Sequence, residues 1–312
     1  MNERFYKALY RIRRVEEEIA AVYPTDKIKS PVHLSIGQEA VSVGVCEALR
    51  KDDIVFGTYR SHALYLAKGG DLRKMVAELY GKATGCAKGK GGSMHLIDAG
   101  ARVMGASAVV GTTIPQAVGY AYALKLRRQD AVVVSFFGDG AVDEGVFHES
   151  LNFAVLKSLP VVFVCENNFY AIHTHQSRRQ KFANICERAR TYGMPAEQIP
   201  DNNVLRIYER VSAAVEQLRS GEGGPVFFEC LTYRLKEHVG PNDDFHLGYR
   251  SREEAERWIE NDPIRRLAEV IDAAQRQKIE SEVEAEIRDA FAFAEQSPFP
   301  ESAELYTDIL GS

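Results

Sequence analysis

Apolar residues recur along this chain in two rhythms, and the rhythm of each stretch predicts its element. Over residues 3 to 23, Phe5, Leu9, Ile12, Ile19 and Val22 recur at helical spacing with charges between them, which predicts an amphipathic surface or interface helix. Pro24 and Pro31 bracket a loop, and Ser35-Ile36-Gly37-Gln38 has capping-box spacing that predicts a helix opening there and running through Leu49. Residues 71 to 80 predict a short helix, Gly81 to His95 a glycine-rich loop, and the stretch after Gly111 a helix studded with Ala117, Gly119, Ala121 and Ala123. Small residues at that spacing admit close packing, internal or between subunits. Continuous apolar runs at Ala131 to Phe137 and Val161 to Cys165 predict buried strands, with a helix over Val146 to Lys157 between them. A polar break at Pro200 to Asn203 precedes a helix over Val204 to Arg219, and Pro225 to Arg234 predicts another strand. Asp262-Pro263 opens long charged helices that run to Ser297. Strand, helix, strand units of this kind build an α/β fold around a mostly parallel sheet flanked by helices. No repeat, low-complexity tract or linker interrupts residues 1–312, so one domain with helical extensions at both ends is expected.

The two central strands both stop on metal-ligand chemistry. The first breaks at Gly138-Asp139-Gly140 and the second ends at Glu166-Asn167-Asn168. Ligands of open parallel sheets sit outside the carboxyl ends of the strands, so Asp139 and Asn168 should come side by side. One hard anionic oxygen and one hard neutral oxygen suit octahedral Mg2+ that shares its other positions with phosphate and water. Glycines flanking the aspartate let backbone approach a ligand closely. A chance GDG followed by NN in so narrow a window arises on the order of one chain in a thousand or less, which favours a ligand site over a plain turn. A dinucleotide fingerprint is excluded because Asp143 stands where the third glycine belongs, and Lys88 to Gly92 does not complete a phosphate loop.

Gly138-Asp139-Gly140 and Asn167-Asn168 together resemble the thiamine diphosphate motif. The wider stretch FFGDGAVDEGVFHESLNFAVLKSLPVVFVCENNFYAI is similar to the alpha subunit of the E1 component of 2-oxoacid dehydrogenases, the pyruvate, branched-chain and acetoin dehydrogenase family. The similarity runs from RIRRVEEEIA to SPFPESAELYTDIL. It implies the thiamine diphosphate-binding fold, with Mg2+ held by Asp139, Asn168 and the main-chain carbonyl of Tyr170. It further implies a cofactor cradle of His33, Tyr59, Arg60, Val110, Gly138, Gly140 and Ala141, with Tyr59 and Arg60 on the diphosphate, and catalytic roles for His62 and His238 beside the substrate. A guanidinium fork suits a diphosphate because it donates parallel hydrogen bonds, and a histidine of ordinary pKa can carry protons to and from an oxo-substrate. The glycine-rich loop, GKGGSMH in its last part, is expected at the active-site entrance, ordering on cofactor binding.

The implied reaction is decarboxylation of a 2-oxo acid and transfer of the acyl unit to a lipoyl acceptor. Its alternative is a transketolase-like enzyme or carboligase that hands the fragment to an aldehyde or sugar; a non-catalytic binding subunit is the other rival. In the family the carboxylate that serves the aminopyrimidine ring comes from a beta subunit, and nothing here matches it. The resemblance therefore implies an alpha2beta2 heterotetramer in which this chain alone is inactive, with a lipoyl-bearing acyltransferase as a further partner. Two departures stand out. Ala108 replaces a frequent glycine near Val110, and HVGPNDDFHLGYR after Lys236-Glu237 has Val239 where animal relatives carry a phosphorylated serine.

Composition narrows the partners. A net charge of −5 and a pI near 6.0 leave no basic excess for nucleic acid. No apolar run reaches membrane-spanning length and MNERFYKALYRIRR lacks a signal-peptide core, which points to a cytoplasmic chain. Five cysteines with no C-x-x-C pair read as buried thiols. Arg178, Arg179 and Lys181 read as a solvated charged face, with attraction of an acidic substrate or carrier as the alternative.

Overall fold

The computed structural model describes residues 1–221 and 223–308. In chain order the strands are β1 (Ile54–Thr58), β2 (Val103–Ser107), β3 (Val133–Gly138), β4 (Val161–Asn167), the short β5 (Tyr170–Ala171) and β6 (Thr174–His175), β7 (Ala196–Ile199) and β8 (Val226–Leu231). Six form one sheet in the order β2-β1-β3-β4-β8-β7, every pairing parallel, while β5 and β6 make a small antiparallel hairpin. The helices are α1 (Asn2–Val22), α2 (Glu39–Glu47), α3 (His62–Ala67), α4 (Leu72–Leu79), α5 (Thr113–Leu126) and α6 (Gly145–Leu156). They continue with α7 (Cys186–Arg190), α8 (Val204–Ser220), α9 (Arg252–Glu260), α10 (Pro263–Ala268) and α11 (Ala273–Gln296). The α/β fold with a parallel central sheet is therefore the one expected.

Successive side chains of a strand point to opposite faces, and here they feed two separate cores. Val134 and Phe136 of β3, with Val162 and Val164 of β4, join one apolar cluster with α1, α2, α4, α8 and α11. Their neighbours Val133, Phe137, Val161 and Phe163 join another, built with Ile114, Ala117 and Ala121 of α5 and Phe147 and Leu151 of α6. A strand buried on both faces must be apolar throughout, which is why these two runs stood out in the sequence. The small residues of α5 divide between the two readings: Ala117 and Ala121 pack inward, whereas Gly119 is exposed with nothing near it. Cys46, Cys165, Cys186 and Cys230 are buried free thiols and Cys86 is half-buried.

Several expectations need correction. The helix after Pro31 does not start at Ser35: α2 begins at Glu39, and Gln38 caps it without a side-chain hydrogen bond. Gly37 at φ +97° breaks the helical path, and a Cβ there would lie 2.4 Å from the Tyr233 carbonyl. The Ser35 amide instead donates to buried Glu16 (2.8 Å). Strand β1 over Ile54–Thr58 was not foreseen, and His62 opens α3. Helix α1 is less of a surface element than expected: Phe5, Leu9, Ile12, Val15 and Ile19 are buried. Its outer side meets α11 through ion pairs such as Arg11 with Glu286 (2.7 Å). Strands β2 and β7 were not foreseen either, because MGAS and AEQI carry no apolar run. Ile309 and Leu310 of the C-terminal similarity lie outside the described residues. No helix among the described residues is long and apolar enough to cross a membrane.

Sheet order also locates a site. From β1 the chain steps outward to β2, then returns to place β3 on the other side of β1. At such a reversal the connections leave in opposite directions and a crevice opens beyond the strand ends. It lies between the loop after Thr58 and the loop after Gly138.

Helices α2 and α8 cross so closely at Gly44 that a Cβ there would lie 2.7 Å from Ile207 Cγ2 and 2.9 Å from the Val204 carbonyl. Alanine would gain about 1 kcal/mol of helix propensity, but overpacking against main chain costs about 1–3 kcal/mol. We expect Gly44→Ala to lower stability in urea unfolding; an unchanged or higher midpoint would refute the close crossing.

Candidate active site

A cleft with a cavity volume of about 230 Å³ opens at the sheet reversal, walled by residues from the carboxyl ends of β1, β3 and β4. Of the residues singled out from the sequence, Tyr59, Arg60, Val110, Gly138, Asp139, Gly140, Ala141, Asn168, Tyr170 and His238 all line it. His33 and His62 do not.

Asp139 opens a tight turn over Asp139–Asp143 and is 1% exposed. Its carboxylate pairs with Arg179, yet burial outweighs that partner and pushes its pKa up to about 6. Arg179, read from the sequence as part of a solvated face, is thus committed to this turn and to Asp143. Asn167 and Asn168 divide their duties. Asn167 donates to Gln176 Oε1 (3.1 Å) and Glu229 Oε1 (2.7 Å), fastening loops on the far side. Asn168 faces the cleft, donating its amide to Gln38 Oε1 (3.0 Å) and accepting from the Tyr170 amide at Oδ1 (3.2 Å). Tyr170 follows a left-handed Phe169 (φ 70°) and precedes a left-handed Ile172 (φ 54°). Its hydroxyl donates to Glu254 (2.7 Å), away from the cleft wall it lines.

The glycines act by what they leave out. Nothing lies within 4 Å of a Cβ built on Gly138, so a side chain there would take up open space on the cleft wall. One on Gly140 would meet Ala171 Cβ at 3.0 Å.

Tyr59 and His238 on the cleft wall pack edge to face, and His33 packs behind them, with ring centroids 4.5 Å apart for the tilted pair His33–Tyr59 and 5.2 Å for the edge-to-face pair His33–His238. Arg60 donates to the carbonyls of Leu34 (2.7 Å) and His238 (3.1 Å), tying both histidine segments to the end of β1. His33 Nδ1 is buried without a partner. Burial first, and the neighbouring Arg60 charge second, push His33 and His238 down to about 3. Both are neutral imidazoles at physiological pH, which corrects the expectation of a histidine with an ordinary pKa.

His62 is fully buried behind the wall. Its ring lies between Glu16 Oε1 (3.2 Å from Nδ1) and Ser93 Oγ (2.8 Å from Nε2), so both nitrogens are engaged away from the cleft. Ser93 ends the glycine-rich loop, whose backbone wraps a side chain of the protein itself. Buried Glu78 accepts from the amides of Ala87 (2.8 Å), Gly89 (2.9 Å), Gly91 (2.7 Å) and Gly92 (3.0 Å). The His238 loop is anchored similarly: buried Asp244 sits between Arg234 and Arg250.

Among the wall residues that escaped the sequence reading are Glu166 and Gln38. Glu166, which burial pushes up to about 7, lines the cleft two positions before Asn168, and a period of two along β4 would have indicated it. Gln38, the partner of Asn168, carried no local signal because it arrives from α2.

Asp139, Asn168, Tyr170, Tyr59, Arg60 and His238 thus line one cleft at the sheet reversal of an α/β fold. Residues 7–303 match the dehydrogenase E1 component family. The alpha subunit of acetoin:2,6-dichlorophenolindophenol oxidoreductase from Bacillus subtilis is 39% identical over 97% of this chain and 92% of its own length. Pyruvate dehydrogenase E1 component subunit alpha is 37% identical in Zymomonas mobilis, over 98% of this chain and 87% of its own length. The Rhizobium meliloti subunit of that name is 38% identical, over 98% and 88%. The chain belongs to the dehydrogenase E1 component family, the thiamine diphosphate-dependent components of 2-oxoacid dehydrogenases.

Two outcomes follow. The folded pKa values of His33 and His238 lie below the ordinary 6.5, so the unfolded chain binds more protons between about pH 3 and 6.5. Stability is therefore complete above that window and is lost as pH falls through it. NMR of the two ring signals should show no titration above pH 5, and a midpoint near 6.5 would overturn the assignment. Glu78→Ala should orphan four loop amides and lower stability by about 3 kcal/mol, with rapid hydrogen exchange confined to residues 87–92; retained protection there would refute the role given to this carboxylate.

Proposed function

We propose that this chain is the alpha subunit of a thiamine diphosphate- and Mg2+-dependent 2-oxoacid dehydrogenase that decarboxylates a 2-oxo acid and passes the acyl unit to a lipoyl acceptor. The observation that carries the reading is the gathering, within one cleft, of Asp139, Asn168 and Tyr170 with Tyr59, Arg60 and His238. The donor set fits the cofactor. Asp139 contributes a single negative charge and Asn168 a neutral oxygen, so an Mg2+ ion held there keeps positive charge for a diphosphate.

When bound, thiamine diphosphate supplies the carbanion and the electron sink. The chain's own residues bind and orient. Gly138, Gly140 and Ala141 would leave room for the cofactor's diphosphate, Tyr59 and Arg60 would hold that group, and Val110 would serve the aminopyrimidine ring. His238, held neutral, offers a lone pair or an N–H to substrate without adding charge, and His33, whose Nδ1 is buried without a partner, backs the cofactor cradle from behind His238 and Tyr59. His62, both of whose nitrogens are taken, holds Ser93 and the glycine-rich loop beside the site.

The cleft is unfinished on its outer side. Val109 (64% exposed), Val110 (43%) and Ile172 (56%) form an apolar rim, which supports closure by a beta-type subunit in an alpha2beta2 heterotetramer. That subunit brings the carboxylate for the aminopyrimidine ring. The 312 residues act as one thiamine diphosphate-binding domain in the cytoplasm, with a lipoyl-bearing acyltransferase as further partner and no role for nucleic acid or membrane.

The test is release of carbon dioxide from a panel of 2-oxo acids, with acetoin alongside and 2,6-dichlorophenolindophenol as electron acceptor, by this chain assembled with its beta-type partner. Acceptor reduction that requires Mg2+, thiamine diphosphate and both chains is expected, and Asp139→Ala should lower turnover by at least ~100-fold. Cofactor binding without acceptor reduction on any substrate would reject the dehydrogenase in favour of carbon–carbon ligation.

A further inference from the structure

We propose that Arg179 and Gln180 are positioning residues that clasp the Asp139–Asp143 turn from outside the cleft and set the Asp139 carboxylate for a divalent cation. The inference rests on the reading of Asp139 as a metal ligand. Arg179 donates one arm of its guanidinium to Asp139 Oδ2 and the other to Asp143 Oδ2. Gln180 donates to the main-chain carbonyl of Asp139 (3.2 Å) and to Asp143 Oδ1 (3.0 Å). Neither residue lines the cleft, whereas Asp139 does.

The clasp is itself anchored. Gln176 donates to Gln180 Oε1 (2.9 Å) and accepts at its own Oε1 from Asn167 (3.1 Å), which donates in turn to Glu229 on β8. Arg179 Nε reaches the Thr174 carbonyl (3.3 Å), and Arg188 holds the Val142 carbonyl (3.0 Å) from beneath. One segment, Gln176 to Arg188, therefore fastens the loop after β3 to the loop after β4. These are the two loops that must hold a shared ion at fixed separation.

Charge and geometry agree. Arg179 occupies Oδ2 of Asp139, and Oδ1 carries no hydrogen bond to another side chain among the described residues. Tying one carboxylate oxygen to an outer partner orients the other, the usual work of groups just behind a metal ligand. A guanidinium beside a ligand would ordinarily weaken its hold on a cation. Here Asp143 offsets Arg179, so the trio Asp139, Asp143 and Arg179 has the net charge of one free carboxylate.

The test uses the assembled enzyme with saturating thiamine diphosphate and follows Mn2+ binding by electron paramagnetic resonance. Arg179→Ala should weaken Mn2+ by about 10- to 100-fold. Arg179→Lys should recover only part, since an ammonium restores charge but cannot bridge two carboxylates as a fork does. Asp143→Asn, which leaves the guanidinium wholly on Asp139, should weaken binding to a similar degree and replaces Arg179→Ala if that variant does not assemble. Unchanged affinity in these variants overturns the proposal. Tighter Mn2+ binding by Arg179→Ala overturns it too and makes the guanidinium a competitor of the cation. Wild-type enzyme that binds no Mn2+ removes the metal reading of Asp139 itself.

Discussion

In the β3/β4 pair Gly138 lies opposite Glu166, and this register decides what the cleft contains. It delivers Asp139 and Asn168 to neighbouring places just past the strand ends, and it turns Asn167 away into the support of the loops behind. A slip of one residue would exchange the faces of a strand, sending Val134 and Phe136 toward the core that now holds Val133 and Phe137. Because each core is complete and buried, such a slip is forbidden on both faces at once. The positions of the candidate ligands are thus enforced by apolar packing well below them.

Around that sheet, buried carboxylates do the fastening. Glu16, Glu78, Asp53, Glu229 and Asp244 are all fully buried; Glu16, Asp53 and Glu229 gather donors from segments distant in the chain, and Glu78 and Asp244 gather those of the loops beside them. Asp53 accepts from the amides of Arg50 (2.7 Å) and Val132 (2.8 Å) and pairs with Arg219; Glu229 accepts from Asn167, the Ile185 amide (3.0 Å) and Gln198 (2.9 Å). An apolar substitute of equal volume would serve stability as well or better, whereas removing one partner strands a charge. Their contribution is placement: Glu16 and Glu78 hold the glycine-rich loop and His62, Asp244 holds the loop of His238, and Glu229 supports the turn after β4.

The cleft that results combines opposite electrostatic settings. At Asp139, burial outweighs the Arg179 partner and raises the carboxyl to about 6. Beside the aromatic cluster, burial and Arg60 keep His33 and His238 uncharged.

The sequence by itself determined the elements whose signal is local. Apolar runs marked β3 and β4, helical spacing marked α1 and α8, and the abrupt ends at Gly138 and Glu166 marked the site. Motif resemblance then named ten residues that line one cleft, because short-range spacing at strand ends survives folding unchanged. Tertiary structure alone decided what depends on distant partners. The start of α2 moved from Ser35 to Glu39 because Glu16 and the Tyr233 carbonyl occupy the space around that turn. His62 faces Glu16 and Ser93 rather than substrate, the two histidines lost their ordinary pKa to burial beside Arg60, and Arg179 left the solvated face for Asp139. Each of these outcomes depends on a group brought near by the fold from at least nineteen residues away, a separation at which local pattern carries no information about burial or charge.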